Sequence, residues 1–195
     1  MFLPDSGRAE VGDTLRPGAR ALNGRGDSVA GQVYWSSLDT AIVPVVDSVT
    51  GVTFAKAAGS GRLQARVGGL RSNPQTVVVL VRLDSATATG SIRDTMIVST
   101  PDTLSDSLVV KVWAGTSGAS GRSVVYTMAI YPAADSTVTL LPKTPVQTDA
   151  NGIAFKRVRF EPGPLPDSVV VTATVRRPDG TAVPSPVTFV VEFRP

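Results

Sequence analysis

Short runs rich in valine and threonine, each cut off by Gly, Pro, Asn or Asp after about 8–12 residues, dominate this chain. Branched β-carbons fit a pleated, half-buried surface and crowd a helical turn, so such runs favour strands. The one alanine-rich patch, Ala55-Lys56-Ala57-Ala58, runs directly into Gly59-Ser60-Gly61, and glycine weakens a helix interior. In Arg62-Leu63-Gln64-Ala65-Arg66-Val67 every second residue is apolar, which places one face on a core and the other in water. Val77 to Val81 and Val169 to Val171 do not alternate, which predicts strands covered on both faces. The fold class expected is all-β, a sandwich or barrel without helices.

Asp-Ser occurs at Asp5, Asp27, Asp47, Asp84, Asp106, Asp135 and Asp167, mostly just ahead of an apolar run. Both side chains can hold a backbone N–H nearby, so each pair predicts a turn that opens a strand. Their spacing is irregular, which excludes a solenoid. With 195 residues, 42% of them hydrophobic, the chain can build two cores. The small, weakly patterned stretch from Arg82 to Gly90 suggests the division: a first domain over 1–83, a linker over 84–90 and a second domain over 91–195. Strands are expected near 11–22, 32–37, 41–46, 52–57, 62–67 and 75–81. In the second domain they are expected near 91–98, 105–113, 123–131, 136–141, 153–160, 168–176 and 186–193.

Cysteine and histidine are both absent. This removes disulfides, thiolate chemistry, Ser-His-Asp triads and the commonest zinc ligand. The acidic residues sit in turn-like contexts, so an enzyme is not expected, and no cofactor is. The net charge is only +3, with basic residues scattered singly rather than clustered with aromatics, which argues against nucleic acid. No apolar run approaches the ~20 residues needed to span a membrane. MFLPDSGRAE lacks the charged and apolar regions of an export leader, so none is expected within this stretch.

Four features carry the remaining argument. Asp149-Ala150-Asn151-Gly152 opens like a calcium loop, but positions 5, 6 and 12 of that loop would be Ile153, Ala154 and Phe160. Asn-Gly between β-runs predicts instead a type I′ hairpin turn. Arg25-Gly26-Asp27 is the tripeptide that integrin receptors read, here in a predicted loop. A chain with this composition produces it by chance roughly once in ten. Lys156, Arg157 and Arg159 follow Ile153-Ala154-Phe155, where the apolar parity slips. This predicts a β-bulge that aims basic side chains at an acidic partner or a lipid headgroup; the alternative is a solvated basic face that discourages edge pairing. Trp35 reads as a core residue, while Trp113, two residues after Lys111, is expected on an outward face as a contact residue.

Gly12-Asp13-Thr14, Tyr34-Trp35-Ser36-Ser37, Gly51-Val52-Thr53 and Gly59 followed by Leu63-Gln64-Ala65 resemble the bacterial Ig-like domains of group 2. Pro44 departs from that pattern and suggests an edge strand. Thr148 to Ala154 and Val169 to Val175 make the second domain similar to the group 1, invasin-type relatives, with the usual Asp-x-x-Gly element blurred to GTSGASGRSVVY. The resemblance implies two Ig-like antiparallel β-sandwich domains in tandem, exported to the periplasm or the cell surface. It implies a non-catalytic module that docks other proteins, such as an accessory subunit of a larger envelope or membrane-embedded complex. The alternative is an adhesin fragment acting through Arg25-Gly26-Asp27 or by binding carbohydrate.

Overall fold

A computed structural model of the chain describes residues 1–98, 103–132 and 137–195. The chain divides into two compact units, Met1–Arg82 and Leu83–Pro195. Among the described residues there is no α-helix, and therefore no helix long and apolar enough to cross a membrane.

The first unit contains β1 (Arg8–Glu10), β2 (Thr14–Leu15), β3 (Ala21–Leu22), β4 (Ser28–Val29), β5 (Tyr34–Ser37), β6 (Val45–Asp47), β7 (Val52–Phe54), β8 (Gly59–Val67), β9 (Leu70–Arg71) and β10 (Gln75–Leu80). One sheet runs β1-β10-β8-β5, with β9 folded onto β8; another runs β2-β7-β6; β3 and β4 form a separate hairpin. Alternation on β8 turns Leu63 and Ala65 inward and Arg62 and Arg66 outward. Leu63, Val77 and Val79 meet Leu15, Val43 and Ala55 in one core. Trp35 is 7% exposed, in keeping with a core residue. A Cβ at Gly51 would stand 2.7 Å from its indole nitrogen.

The second unit contains β11 (Ser85–Ala88), β12 (Arg93–Ile97), β13 (Leu108–Ala114), β14 (Ser117–Gly118), β15 (Ser123–Tyr131), β16 (Val138–Leu141), β17 (Val146–Gln147), β18 (Ile153–Phe160), β19 (Ser168–Val175) and β20 (Val187–Arg194). Its sheets run β11-β13-β18-β16 and β12-β20-β19-β15-β17. This is the ABED-over-GFC order of an immunoglobulin sandwich, with the first strand divided between the two sheets. The first unit has the same order in its sheets β1-β10-β8-β5 and β2-β7-β6, but the second of these lacks a first-strand segment, so each unit is an Ig-like β-sandwich. Two pairings in these otherwise antiparallel sheets are parallel, β1 with β10 and β12 with β20. Inside the second unit, Val110, Val112, Val158, Val169, Val171, Phe189 and Val191 are fully buried. Each contributes about 1.5–3 kcal/mol by leaving water. The Tyr126 hydroxyl crosses this core to the opposite sheet, 3.1 Å from Ala154 O and 3.3 Å from Leu108 O. Burial raises its pKa well above the ordinary phenol value.

Several expectations need correction. Residues 84–90 are not a linker, because β11 pairs along β13 from Ser85↔Trp113 to Ala88↔Val110 and Ala86 is buried. Its small side chains suit close packing there. The run 11–22 is not one strand, since Gly12 turns the chain at φ 94 and a Cβ at Gly18 would strike the Phe2 ring. The run 41–46 begins as a turn in which Asp39 O accepts the N–H groups of Ile42 and Val43. Only Val45–Asp47 is strand, at the sheet edge beside Pro44. Val77–Leu80 and Val169–Val171 are not covered on both faces: they alternate between buried and half-buried residues. Asp27, Asp84, Asp106 and Asp167 do precede strands. Asp47 instead ends one, its carboxylate accepting the N–H groups of Val49 and Thr50. Asp135, and the start of the strand expected at 136, lie outside the described residues.

The turn at Asp149 is also of a different kind from the one expected. Gly152 has φ 79, but Asn151 is not in the left-handed region, so the turn is not type I′. Gly152 N–H donates to Asp149 O (3.0 Å) and Asp149 N–H to Ile153 O (2.8 Å). This is a type I turn closed by a glycine bulge. Asp149 Oδ1 accepts from Asn151 N–H (2.8 Å) and Ile153 N–H (2.9 Å), so the carboxylate caps its own turn. The same bonding recurs from Asn23 to Asp27 and from Arg177 to Thr181, with Gly26 at φ 88 and Gly180 at φ 84. At Asp149 it does not close a hairpin within one sheet. It carries the chain from β17, paired with β15, to β18, paired with β13 and β16.

Candidate functional site

The strand β18 determines which basic residues reach solvent. Ala154, Lys156, Val158 and Phe160 are buried, so Phe155, Arg157 and Arg159 take the opposite face. Pairing with β13 and β16 is regular from Ile153 to Phe160, and no bulge is present. The parity that seemed to slip in the sequence is continuous, because it is Lys156 that occupies the inward position and Phe155 that is turned out. Lys156 is buried, and its Nζ donates to Pro142 O at 2.7 Å. It is not available to a partner, and the expectation that it aims at one is overturned.

Burial lowers the Lys156 pKa below its ordinary 10.5, since the charged form loses hydration. Between that depressed value and 10.5 the unfolded chain binds more protons than the folded one, so stability rises with pH in that window. Lys156→Met should leave stability at neutral pH unchanged or raise it by up to about 1 kcal/mol, as replacement of buried charges often does. It should also abolish the alkaline rise. Urea unfolding of both chains across that window checks both outcomes.

The outward residues of β11, β13 and β18 assemble a surface that only pairing could bring together. Trp113 and Lys111 share the outer face of β13, with Lys111 Nζ 4.0 Å from the Trp113 ring centroid. The indole N–H donates to Thr87 Oγ1 on β11 (2.9 Å), which ties the ring to the neighbouring strand. Opposite β13, Lys111 pairs with Ile153 and Val109 with Phe155; Phe155 is 48% exposed. Arg157 follows on the same face, its Nε donating to Ser107 Oγ at 2.9 Å, and Arg159 lies one step beyond, paired with Thr139 of β16. Trp113, Val109, Ile153 and Phe155 thus form an aromatic and aliphatic strip with cations beside it. Of the residues singled out in the sequence, Trp113, Arg157 and Arg159 share this face. Phe155 was missed because it reads as a core residue.

Arg25-Gly26-Asp27 lies in the other unit, exposed at the tip of the β3–β4 hairpin. Asn23 organises it: Oδ1 accepts the N–H groups of Arg25 and Asp27, and Nδ2 donates to Asp27 Oδ2 at 3.1 Å. Each residue of the triplet is accounted for by the turn. Arg176 and Arg177 bond Gly180 O and Leu83 O respectively. Among the described residues no group of three or more acidic side chains is gathered where a metal could bind.

No family model and no curated protein matches the chain. Among solved structures it is similar to the Yersinia pseudotuberculosis adhesin InvE, at 18% identity over 96% of this chain and 60% of that one, with a TM-score of 0.42. It is similar also to the D0-D1 domain of intimin (17% identity, 96% of this chain, 94% of that chain, TM-score 0.39). A third likeness is to domains 4 and 5 of the S-layer protein SbsC (14% identity, 93% of this chain, 82% of that chain, TM-score 0.37). These likenesses are too distant to carry function, and the Ig-like assignment of each unit rests on its own strand order.

Proposed function

We propose that the chain is a non-enzymatic docking module outside the cytoplasm, an accessory subunit that stabilises a larger envelope or membrane-embedded complex. The observation that carries this reading is the outer face of β11-β13-β18-β16. A half-exposed aromatic and aliphatic strip flanked by cations has the make-up of a protein contact, where Trp and Arg supply most of the binding energy. The location rests on the sequence resemblance of Tyr34 to Ser37 and Thr148 to Ala154 to exported Ig-like modules. The same motifs favour group 2 for the first unit and the invasin type for the second. Charge complementarity predicts a partner surface with an apolar centre and an acidic rim.

Gentle purification from the native source should bring the chain out with its complex. Phe155→Glu and Trp113→Ala remove half-exposed side chains and should leave the fold intact. Each should cut recovery with the complex about tenfold or more, the effect of losing a contact worth over ~1.4 kcal/mol. Recovery of the parent chain as a lone monomer at low salt would sink the reading.

A further inference from the structure

A second surface, in the first unit, has a different chemistry. On the β8–β9 pair, Arg66 lies directly opposite Arg71. Like charges at directly opposed positions destabilise a strand pair, yet neither guanidinium has an ion-pair partner among the described residues. The acidic side chains of neighbouring segments are committed elsewhere. Asp39 binds Arg62 through both oxygens, which holds its pKa below the ordinary value. Asp47 accepts from Val49, Thr50 N–H and the Thr50 hydroxyl.

Between the two arginines and β5 runs a groove of about 220 Å³, lined by Tyr34, Ser36, Ser48 and Gln64 as well as Arg66 and Arg71. Arg66 also lies over the Tyr34 ring, 5.7 Å from its centroid. That contact keeps the guanidinium beside the groove. Two guanidiniums lining one groove suit a carboxylate, which accepts paired N–H bonds. On the remaining walls Ser36 Oγ donates to Gln64 O (3.4 Å) and Gln64 Nε2 to Ser72 O (2.9 Å), which leaves Ser36 Oγ and Gln64 Oε1 as acceptors beside the Ser48 hydroxyl, as sugar hydroxyls require. A peptide would be expected to add to the free edge of β5. That edge is obstructed, because Trp35 N–H already donates to Ser48 O at 2.8 Å.

We infer that the Arg66–Arg71 groove binds a carboxylate-bearing glycan, with the two guanidiniums on the carboxylate and Ser36, Ser48 and Gln64 on the hydroxyls. This site is separate from the Trp113 face, and the failure of either assignment leaves the other standing. The test is titration of the isotope-labelled full chain, followed by amide NMR, with three probes: oligogalacturonate, its carboxyl-reduced neutral counterpart, and short polyglutamate. Oligogalacturonate should shift amides at 34–36, 48, 64–66 and 71, and its affinity should fall as salt rises from about 0.05 to about 0.5 M. The neutral sugar should bind about tenfold more weakly or not at all. Arg66→Gln and Arg71→Gln should each weaken binding about tenfold, the scale of a hydrogen bond to a charged group. Both are exposed, so the spectra should report an intact fold. No shifts with oligogalacturonate, or shifts unchanged in the double variant, would overturn the site. Equal binding of polyglutamate at the same amides would overturn the glycan assignment in favour of an acidic peptide.

Discussion

Gly152→Ala and Gly118→Ala should each destabilise the second unit by roughly 3–5 kcal/mol, which places them among the most damaging single substitutions. Gly152 has φ 79, where any side chain costs about 1–2 kcal/mol. Its surroundings add a larger penalty. A Cβ there would lie 2.6 Å from Val112 O and 2.6 Å from Ala119 N, both backbone atoms, and backbone of packed strands cannot swing aside. Gly118 has no unusual φ, but its Cβ would fall 1.9 Å from Asn151 O, so the turn would have to lift off β14. Gly180 supplies the control. It holds the equivalent place in the same kind of turn at φ 84, with nothing within 4 Å. Gly180→Ala should cost only the conformational ~1–2 kcal/mol. Urea midpoints at unchanged m-value measure all three. Equal losses at positions 152 and 180 would show that the crowding is not real.

Thr148→Val should cost roughly 2–3 kcal/mol, from two buried hydrogen bonds whose other partners stay buried. The Thr148 hydroxyl accepts from Arg122 N–H at 2.9 Å and donates to Ala119 O at 2.6 Å. Its backbone is tied on both sides, with Thr148 N–H to Arg122 O and Gly121 N–H to Thr148 O. Valine has the same shape, so no cavity opens and the loss isolates the hydroxyl. Thr148→Ser keeps the hydroxyl and should recover most of the stability, giving up only a methyl group. Combined with Gly118→Ala the effects should not add, because both act on one corner. A valine variant with unchanged urea midpoint would remove this hydroxyl from the account of how β17 is joined to β18.

The stretch from Thr148 to Phe155, TDANGIAF, joins β17 of one sheet to β18 of the other. Its letters declared a turn, and the turn is there. They could not declare that the turn is a corner between sheets, because that depends on β14 lying beneath it, more than thirty positions earlier in the chain. Lys156 shows the same limit on a smaller scale. Sequence parity treats a lysine as outward and a phenylalanine as inward. The strand adopted the opposite assignment because Ala154, Val158 and Phe160 held the core positions and lysine's long stem let its ammonium reach Pro142 O. Residues 84–90 looked like a linker because Ala and Ser carry little pattern, yet their small size is what suits β11 to its place beside β13. The two-residue pairings, such as Val146–Gln147, were too short for any periodicity to register.

Local chemistry determined the all-β class, the alternating faces of β8 and the positions of the turns, since branched side chains and left-handed glycines act within a few residues. Tertiary structure alone decided which sheet each strand joined, that Lys156 faced inward, and that Val109 met Phe155 while Arg66 met Arg71. Those pairings are set by strand register between distant segments, and a chain carries no local signal for a neighbour it acquires only on folding.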